Sequence, residues 1–193
     1  MRLALFDFDG TLTTKDSLEE FVKFAVGKPS YYFKLALFSP IFFLYKIKIM
    51  DNSYAKELLF RLYFHKINED EFKAVAQEYG ETKINDIIRE DIYEKFLQHI
   101  QDGDKVLIVS ASIRSWLQPW ADKHKVELLC TELAFKDKIF TGHFATINCH
   151  GKEKLRRVQA HLNLDDYEKI YTYGDSSGDD SILAIADVKV IVK

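Results

Sequence analysis

The chain has little cysteine, little net charge and no stretch able to cross a membrane. Its two cysteines, Cys130 and Cys149, lack metal-type spacing and are too few for a disulfide framework. Six histidines are scattered singly, with no His-x-x-x-His pair, so each reads as a surface or internally satisfied side chain. A formal charge of −3, with no basic stripe carrying interleaved aromatics, sets nucleic acid aside as a partner. The uncharged run over residues 35–45 is too short for a spanning helix, and Pro40 interrupts it. No internal repeat and no low-complexity tract occurs. No secretory leader precedes the first strand-like residues, so a cytoplasmic location is expected.

What is present supports a packed core. The chain of 193 residues is 47% hydrophobic and 14% aromatic, enough for one large domain or one domain carrying an insert. Five short apolar runs read as buried strands, over residues 3–6, 105–109, 126–129, 169–173 and 188–192. Helical patterns over 113–124, 153–163 and 180–186 separate most of them. Strand and helix alternate, and the strands are apolar throughout, as in a parallel sheet covered on both faces. The expected fold is therefore α/β, a Rossmann-like parallel sheet. Residues 1–14 and 100–193 form its core, and residues 15–99 a helical cap insert with helices over 16–25, 29–50, 52–65 and 69–79. Asn52 or Ser53 is expected to cap the third of these, and Asn68 with Glu71 to form a capping box for the fourth. Residues 133–146 alternate like a small β-hairpin.

Chemistry concentrates where strands end. Asp7-Phe8-Asp9-Gly10-Thr11 follows the first strand, and its glycine permits a sharp turn. A calcium loop counted from Asp7 needs glycine at the sixth position and glutamate at the twelfth; Leu12 and Leu18 stand there. Two carboxylates two residues apart can instead divide the work of phosphoryl transfer, one attacking phosphorus and one moving a proton. Ser110 follows the second strand in Val109-Ser110-Ala111-Ser112. Gly151-Lys152-Glu153-Lys154-Leu155 opens a helix, and Gly174-Asp175-Ser176-Ser177-Gly178-Asp179-Asp180 follows another strand. Hydroxyls, backbone N–H groups and a lysine can hold phosphate oxygens, and carboxylates from two strand ends can share magnesium.

These four motifs, in this order, resemble those of the haloacid dehalogenase (HAD) superfamily of phosphatases. The long helical insert is similar to its C1 cap, and the closest likeness is to the phosphoserine-phosphatase-like subclass IB. The resemblance runs from Leu3 to about Val192 and is specific at the motifs. It implies a hydrolase using Mg2+ through an aspartyl-phosphate intermediate. Asp7 is the implied nucleophile and Asp9 the general acid/base. Asp7, the Asp9 backbone carbonyl and Asp175 are implied metal ligands, with Asp179 in support. Ser110 and Ala111 would hold phosphate, and either Lys154 or Lys152 would be the site lysine. Asp16 and Arg61 stand roughly where phosphoserine phosphatases meet the substrate ammonium and carboxylate. Equally open are a helix cap for Asp16 and a solvated helix position for Arg61.

The implied substrate is a small or lipid-like phosphate monoester. A phosphoserine phosphatase proper, or a non-catalytic phosphate- or membrane-binding protein retaining the fold, are the alternatives. Residues 21–50 carry five lysines and no acid. That stretch is either cap core or a basic apolar surface in peripheral contact with anionic membrane at its inner face. The oligomeric state is left open.

Overall fold

The computed structural model describes residues 1–39 and 52–193. The strands among the described residues are β1 (Arg2–Phe6), β2 (Lys105–Ile113), β3 (Glu127–Thr131), β4 (Leu133–Lys136), β5 (Ile139–Phe144), β6 (Lys169–Gly174) and β7 (Val188–Ile191). Five form an all-parallel sheet in the order β3-β2-β1-β6-β7, and β4 pairs antiparallel with β5. The described α-helices are α1 (Ser17–Val26), α2 (Lys28–Leu37), α3 (Asn52–Phe64), α4 (Glu69–Thr82), α5 (Glu90–Gln101), α6 (Arg114–His124), α7 (Lys152–His161) and α8 (Asp180–Leu183). Of the helix expected over 29–50, α2 is the described portion; Pro40, Phe42, Lys46 and Lys48 lie outside the described residues.

The sheet is covered on both faces, which is why its strands read as continuous apolar runs. β1 lies at its centre, and Leu3 to Phe6 are fully buried. Successive side chains point to opposite faces. Leu3 and Leu5 pack with Leu107, Val109 and Val158, while Ala4 and Phe6 pack with Ile108 and Phe96. The Phe6 ring stacks on Tyr173 at 4.2 Å.

The chain leaves the sheet after the first motif and returns along it. Thr13 bridges Ile88, and the Thr14 amide donates to the Ile87 carbonyl at 2.8 Å. Helices α1 to α4 lie between these points. The following helix, α5, packs on β2, and its Phe96 meets the Phe6 ring edge-on. The α5 pattern was not read in the sequence, although Ile92, Phe96 and Ile100 repeat at helical spacing. Asn68 does cap α4, but its side chain accepts from the Asp70 amide at 2.8 Å, so no capping box forms with Glu71. The hairpin turns at Asp137 and Lys138, both with positive φ, as a tight two-residue connection requires.

An aromatic seam joins the insert to the sheet layer. Phe21 of α1 stacks on Trp116 of α6 at 4.5 Å, and also meets Phe72 and Tyr79 of α4. Phe60 of α3 packs over Trp116 and against Phe140 of β5. All of these side chains except Phe140 are no more than 2% exposed. Gly80 lets α4 approach α6: a Cβ there would fall onto the Trp116 carbonyl. Gly80→Ala should therefore lower stability by about 1–3 kcal/mol. In an open helix the same change stabilises by about 1 kcal/mol. A thermal or urea melt reads the sign.

Candidate active site

The parallel sheet delivers its strand ends to one edge, where open α/β folds bind ligands. Asp7 directly follows β1, and its amide donates to the Tyr173 carbonyl of β6 at 2.9 Å. Asp175 directly follows β6. Phe6 pairs with Ile108, so Ser110 lies two residues further along β2, which runs on to Ile113 rather than ending before Ser110. Phe8–Leu12 form a single wide turn in which Gly10 takes φ 83°. A Cβ on Gly10 would run into the Asp175 carboxylate, so glycine is required both by φ and by space.

Helix α7 brings Lys154 into this edge from below. The lysine is 2% exposed, and its Nζ donates to Asp7 Oδ1 and to Asp179 Oδ1, each at 2.5 Å. Burial opposes its charge, but the two carboxylates hold its pKa above the ordinary lysine value. Burial pushes the Asp7 carboxyl up to about 7; Asp179 adds to the rise while Lys154 pulls against it. Asp179 is itself fixed by the Asp175 and Ser176 amides, each at 3.2 Å from Oδ2. Lys152, two residues before Lys154, is exposed.

Asp7, Asp175 and Asp179 offer carboxylate oxygens within 4.8 Å of one another. A divalent ion with bonds of about 2.1 Å to each of two ligands spans a gap of that order. Three carboxylates share one ammonium here, so the cluster has an excess of negative charge that such an ion would balance. The donor set is all oxygen, which suits magnesium. The Asp9 carboxylate lies outside this group. Its Oδ1 accepts from the Ser17 amide at 2.7 Å, and its Oδ2 accepts a short bond from Ser112 Oγ. The Ser17 and Ser112 hydroxyls meet at 2.9 Å, and Trp116 Nε1 donates to Ser17 Oγ at 3.2 Å. Burial, then the nearby Asp16 charge, raises Asp9 to about 6.

Ser110 is fully buried, and its Oγ accepts from the Ser112 amide at 3.0 Å. The β2–β3 register shifts between Ser110 and Ile113, a bulge that re-aims Ala111 and Ser112. Lys56 of α3 reaches across to this bulge and donates to the Ala111 carbonyl at 3.4 Å. Ser17, Ser112 and Lys56 were not among the predicted site residues. Ser112 stood inside the quoted motif, but its partner Ser17 is 95 residues away. Lys56 had no local signal.

Beside this edge lies a cavity of about 280 Å³, lined by Asp16, Leu18, Tyr31, Lys56 and Leu59 among others. Asp16 caps α1, accepting from the Glu19 amide at 3.0 Å, and lines this cavity as well. Arg61 does not line it. Its guanidinium lies over Tyr54, its stem packs against Gly142, and its buried Nε and Nη2 have no hydrogen-bond partner among the described residues.

This sheet order, with carboxylates at adjacent strand ends and a buried lysine between them, defines a hydrolase of the haloacid dehalogenase-like class. The chain belongs to that family: the model of haloacid dehalogenase-like hydrolases matches residues 4–184. Protein CicA of Caulobacter vibrioides is 31% identical over 189 residues, covering 97% of this chain and 84% of its own. A structure of a protein of unknown function from Bordetella pertussis Tohama I has a TM-score of 0.83 at 24% identity, over 98% of this chain and 89% of that one. A phosphoserine phosphatase, captured as a phospho-aspartyl intermediate analogue, has a TM-score of 0.61 at 18% identity, over 98% and 85% of the two chains. The fold is thus that of phosphoserine-phosphatase-like hydrolases.

Removing the ammonium should expose the strain in the carboxylate cluster. Lys154→Ala leaves Asp7 and Asp179 buried and unpaired, at an expected cost of about 3–5 kcal/mol in chelator-treated protein. The loss of Lys154 also raises the folded-state pKa of Asp7 further above its unfolded value. The folded state then binds more protons, so stability falls as pH rises. Urea titrations at pH 5 and pH 8 should show the larger deficit at pH 8.

Proposed function

We propose that the protein is a magnesium-dependent phosphate monoester hydrolase working through an aspartyl phosphate on Asp7. One observation carries the reading: Lys154 Nζ lies 2.5 Å from Asp7, in a cluster where Asp175 and Asp179 supply two more carboxylates. Asp7 is the nucleophile and Asp9 the general acid/base. Asp7, Asp175 and the Asp9 backbone carbonyl would hold Mg2+, which when bound would neutralise charge on the transferred phosphoryl oxygens. Asp179 supports the site by anchoring Lys154. Lys154, not the exposed Lys152, is the site lysine in this reading.

The Asp7 carboxylate attacks phosphorus as the bond to the ester oxygen breaks. Asp9 donates its proton to that oxygen, and the alcohol departs. Asp9 then takes a proton from the water that attacks the phosphoryl group, which releases phosphate and frees Asp7. A carboxyl raised to about 6 suits both proton transfers near neutral pH. Ser110 and the Ala111–Ser112 bulge grip the phosphoryl oxygens together with Lys154.

The cavity receives the leaving group. Its apolar wall of Leu18, Tyr31 and Leu59 beside Lys56 and Asp16 favours a small or lipid-like phosphate monoester over a purely polar one. Because Arg61 is engaged against Gly142 and Tyr54, we assign the cation facing the substrate to Lys56. We take the cap as residues 15–88 rather than 15–99, since α5 lies on the sheet.

Asp7→Asn should cut turnover of p-nitrophenyl phosphate to background while the protein stays folded. Retention of more than about a tenth of wild-type turnover would sink the aspartyl-phosphate reading. Asp9→Asn should cost less on this substrate, whose leaving group needs little protonation. Excess chelator should abolish activity, and added magnesium should restore it.

A further inference from the structure

A chain of hydrogen bonds behind the site ends on Asp9, and its direction is fixed. The Trp116 indole N–H can only donate, and it donates to Ser17 Oγ at 3.2 Å. Ser17 Oγ and Ser112 Oγ meet at 2.9 Å, and the one O–H of Ser112 donates to Asp9 Oδ2. The Ser17 hydroxyl must therefore donate to Ser112, so every proton in the chain points toward the carboxylate. The reverse order would leave the Ser17 proton without an acceptor among the described residues.

Each member is held from a different side. Trp116, Ser17 and Ser112 are all buried, so bulk water cannot replace a hydroxyl in the chain. The indole is set by ring packing, stacked on Phe21 at 4.5 Å and lying against Phe60. Ser17 is set by the capped start of α1, and Ser112 by the β2 bulge, where its amide donates to Ser110 Oγ. The Ser17 amide holds the other Asp9 oxygen at 2.7 Å. A carboxylate has about four acceptor sites, and these contacts occupy one on each oxygen. The remaining site on each oxygen is left for a proton or a substrate oxygen.

We propose that Trp116, Ser17 and Ser112 are positioning residues, a directed chain that holds the Asp9 carboxyl where it meets the ester oxygen of the leaving group. This deepens the acid/base role proposed for Asp9 and rests on it. The ring that packs the insert against the sheet layer is then also the ring that starts the chain. Placement of the acid matters most when the leaving group is poor: an alkoxide must be protonated as it departs, whereas an aryl oxide needs little help. The chain therefore acts selectively on turnover of alkyl phosphate esters.

Kinetics on two esters, with magnesium present, give the first test. Trp116→Phe keeps an aromatic ring and deletes the N–H. Its kcat on β-glycerol phosphate should fall about tenfold and on p-nitrophenyl phosphate no more than about twofold, with KM unchanged for both. Ser17→Ala, which removes only the middle hydroxyl, should show the same split and serves if Trp116→Phe does not fold. Asp9→Asn on the same pair is the reference; equal losses there count against the acid/base reading, and a spectroscopic test then decides for the chain alone. Of the two tryptophans, Trp120 is the internal standard, its indole N–H donating to Asn85 Oδ1 at 3.1 Å. Asp9→Asn should move the Trp116 indole 1H–15N resonance and leave that of Trp120 in place. With Ser112→Ala already present, Asp9→Asn should no longer move it. An unmoved Trp116 resonance, or an equal movement in the Ser112→Ala background, would overturn the proposal. So would equal losses on both esters in Trp116→Phe and Ser17→Ala where Asp9→Asn separates them.

Discussion

The buried ammonium of Lys154 is the constraint on which the rest of this edge depends. A lysine stripped of water is tolerated only where carboxylates replace the water, and two do so at 2.5 Å. The contact ties three separate parts of the chain together: the end of β1, the start of α7 and the loop after β6. Asp179 then holds the amides of Asp175 and Ser176, so the ammonium indirectly sets where Asp175 faces Asp7. Asp7 is consequently presented with one oxygen engaged by the lysine. Its other oxygen meets Thr11 Oγ1 at 3.5 Å, a long contact that leaves it available.

Asp9 is held by a different set of contacts. Its oxygens are engaged by the Ser17 amide and the Ser112 hydroxyl, and Trp116 in turn steadies Ser17. Ser17 opens α1, Ser112 lies in the last residues of β2, and Trp116 is the ring on which Phe21 stacks. The position of the second carboxylate therefore depends on how the insert sits against the sheet layer. Two carboxylates two residues apart in sequence are anchored by different sets of side chains, which keeps their environments distinct.

Much of this was legible in the chain because a parallel sheet writes its chemistry at strand ends. Apolar runs leading into Asp7, Ser110 and Asp175 mark three pieces of the edge in the sequence itself. The choice between Lys152 and Lys154 was not legible, since the two are separated by one residue on a helix and only packing decides which one turns inward. Ser17, Lys56 and the engagement of Arg61 against Gly142 are tertiary facts without local pattern. Asn68 shows a smaller limit: the residue type announces a cap, but not which of the two following amides its side chain will choose. Helix α5 had adequate spacing in Ile92, Phe96 and Ile100. It falls at the end of the stretch taken as one insert and crosses its boundary at residue 99.

The aromatic seam has a bearing on traffic through the site. Swinging the whole insert away would unstack Phe21 and Phe60 from Trp116 and wet rings that are now dry, at about 1.5–3 kcal/mol for each large side chain. It would also pull Ser17 away from Asp9 and Ser112. The insert is riveted to the sheet layer by these rings, so under the proposed function the route to the carboxylates would run past α2 and α3, where Tyr31, Lys56 and Leu59 line the cavity.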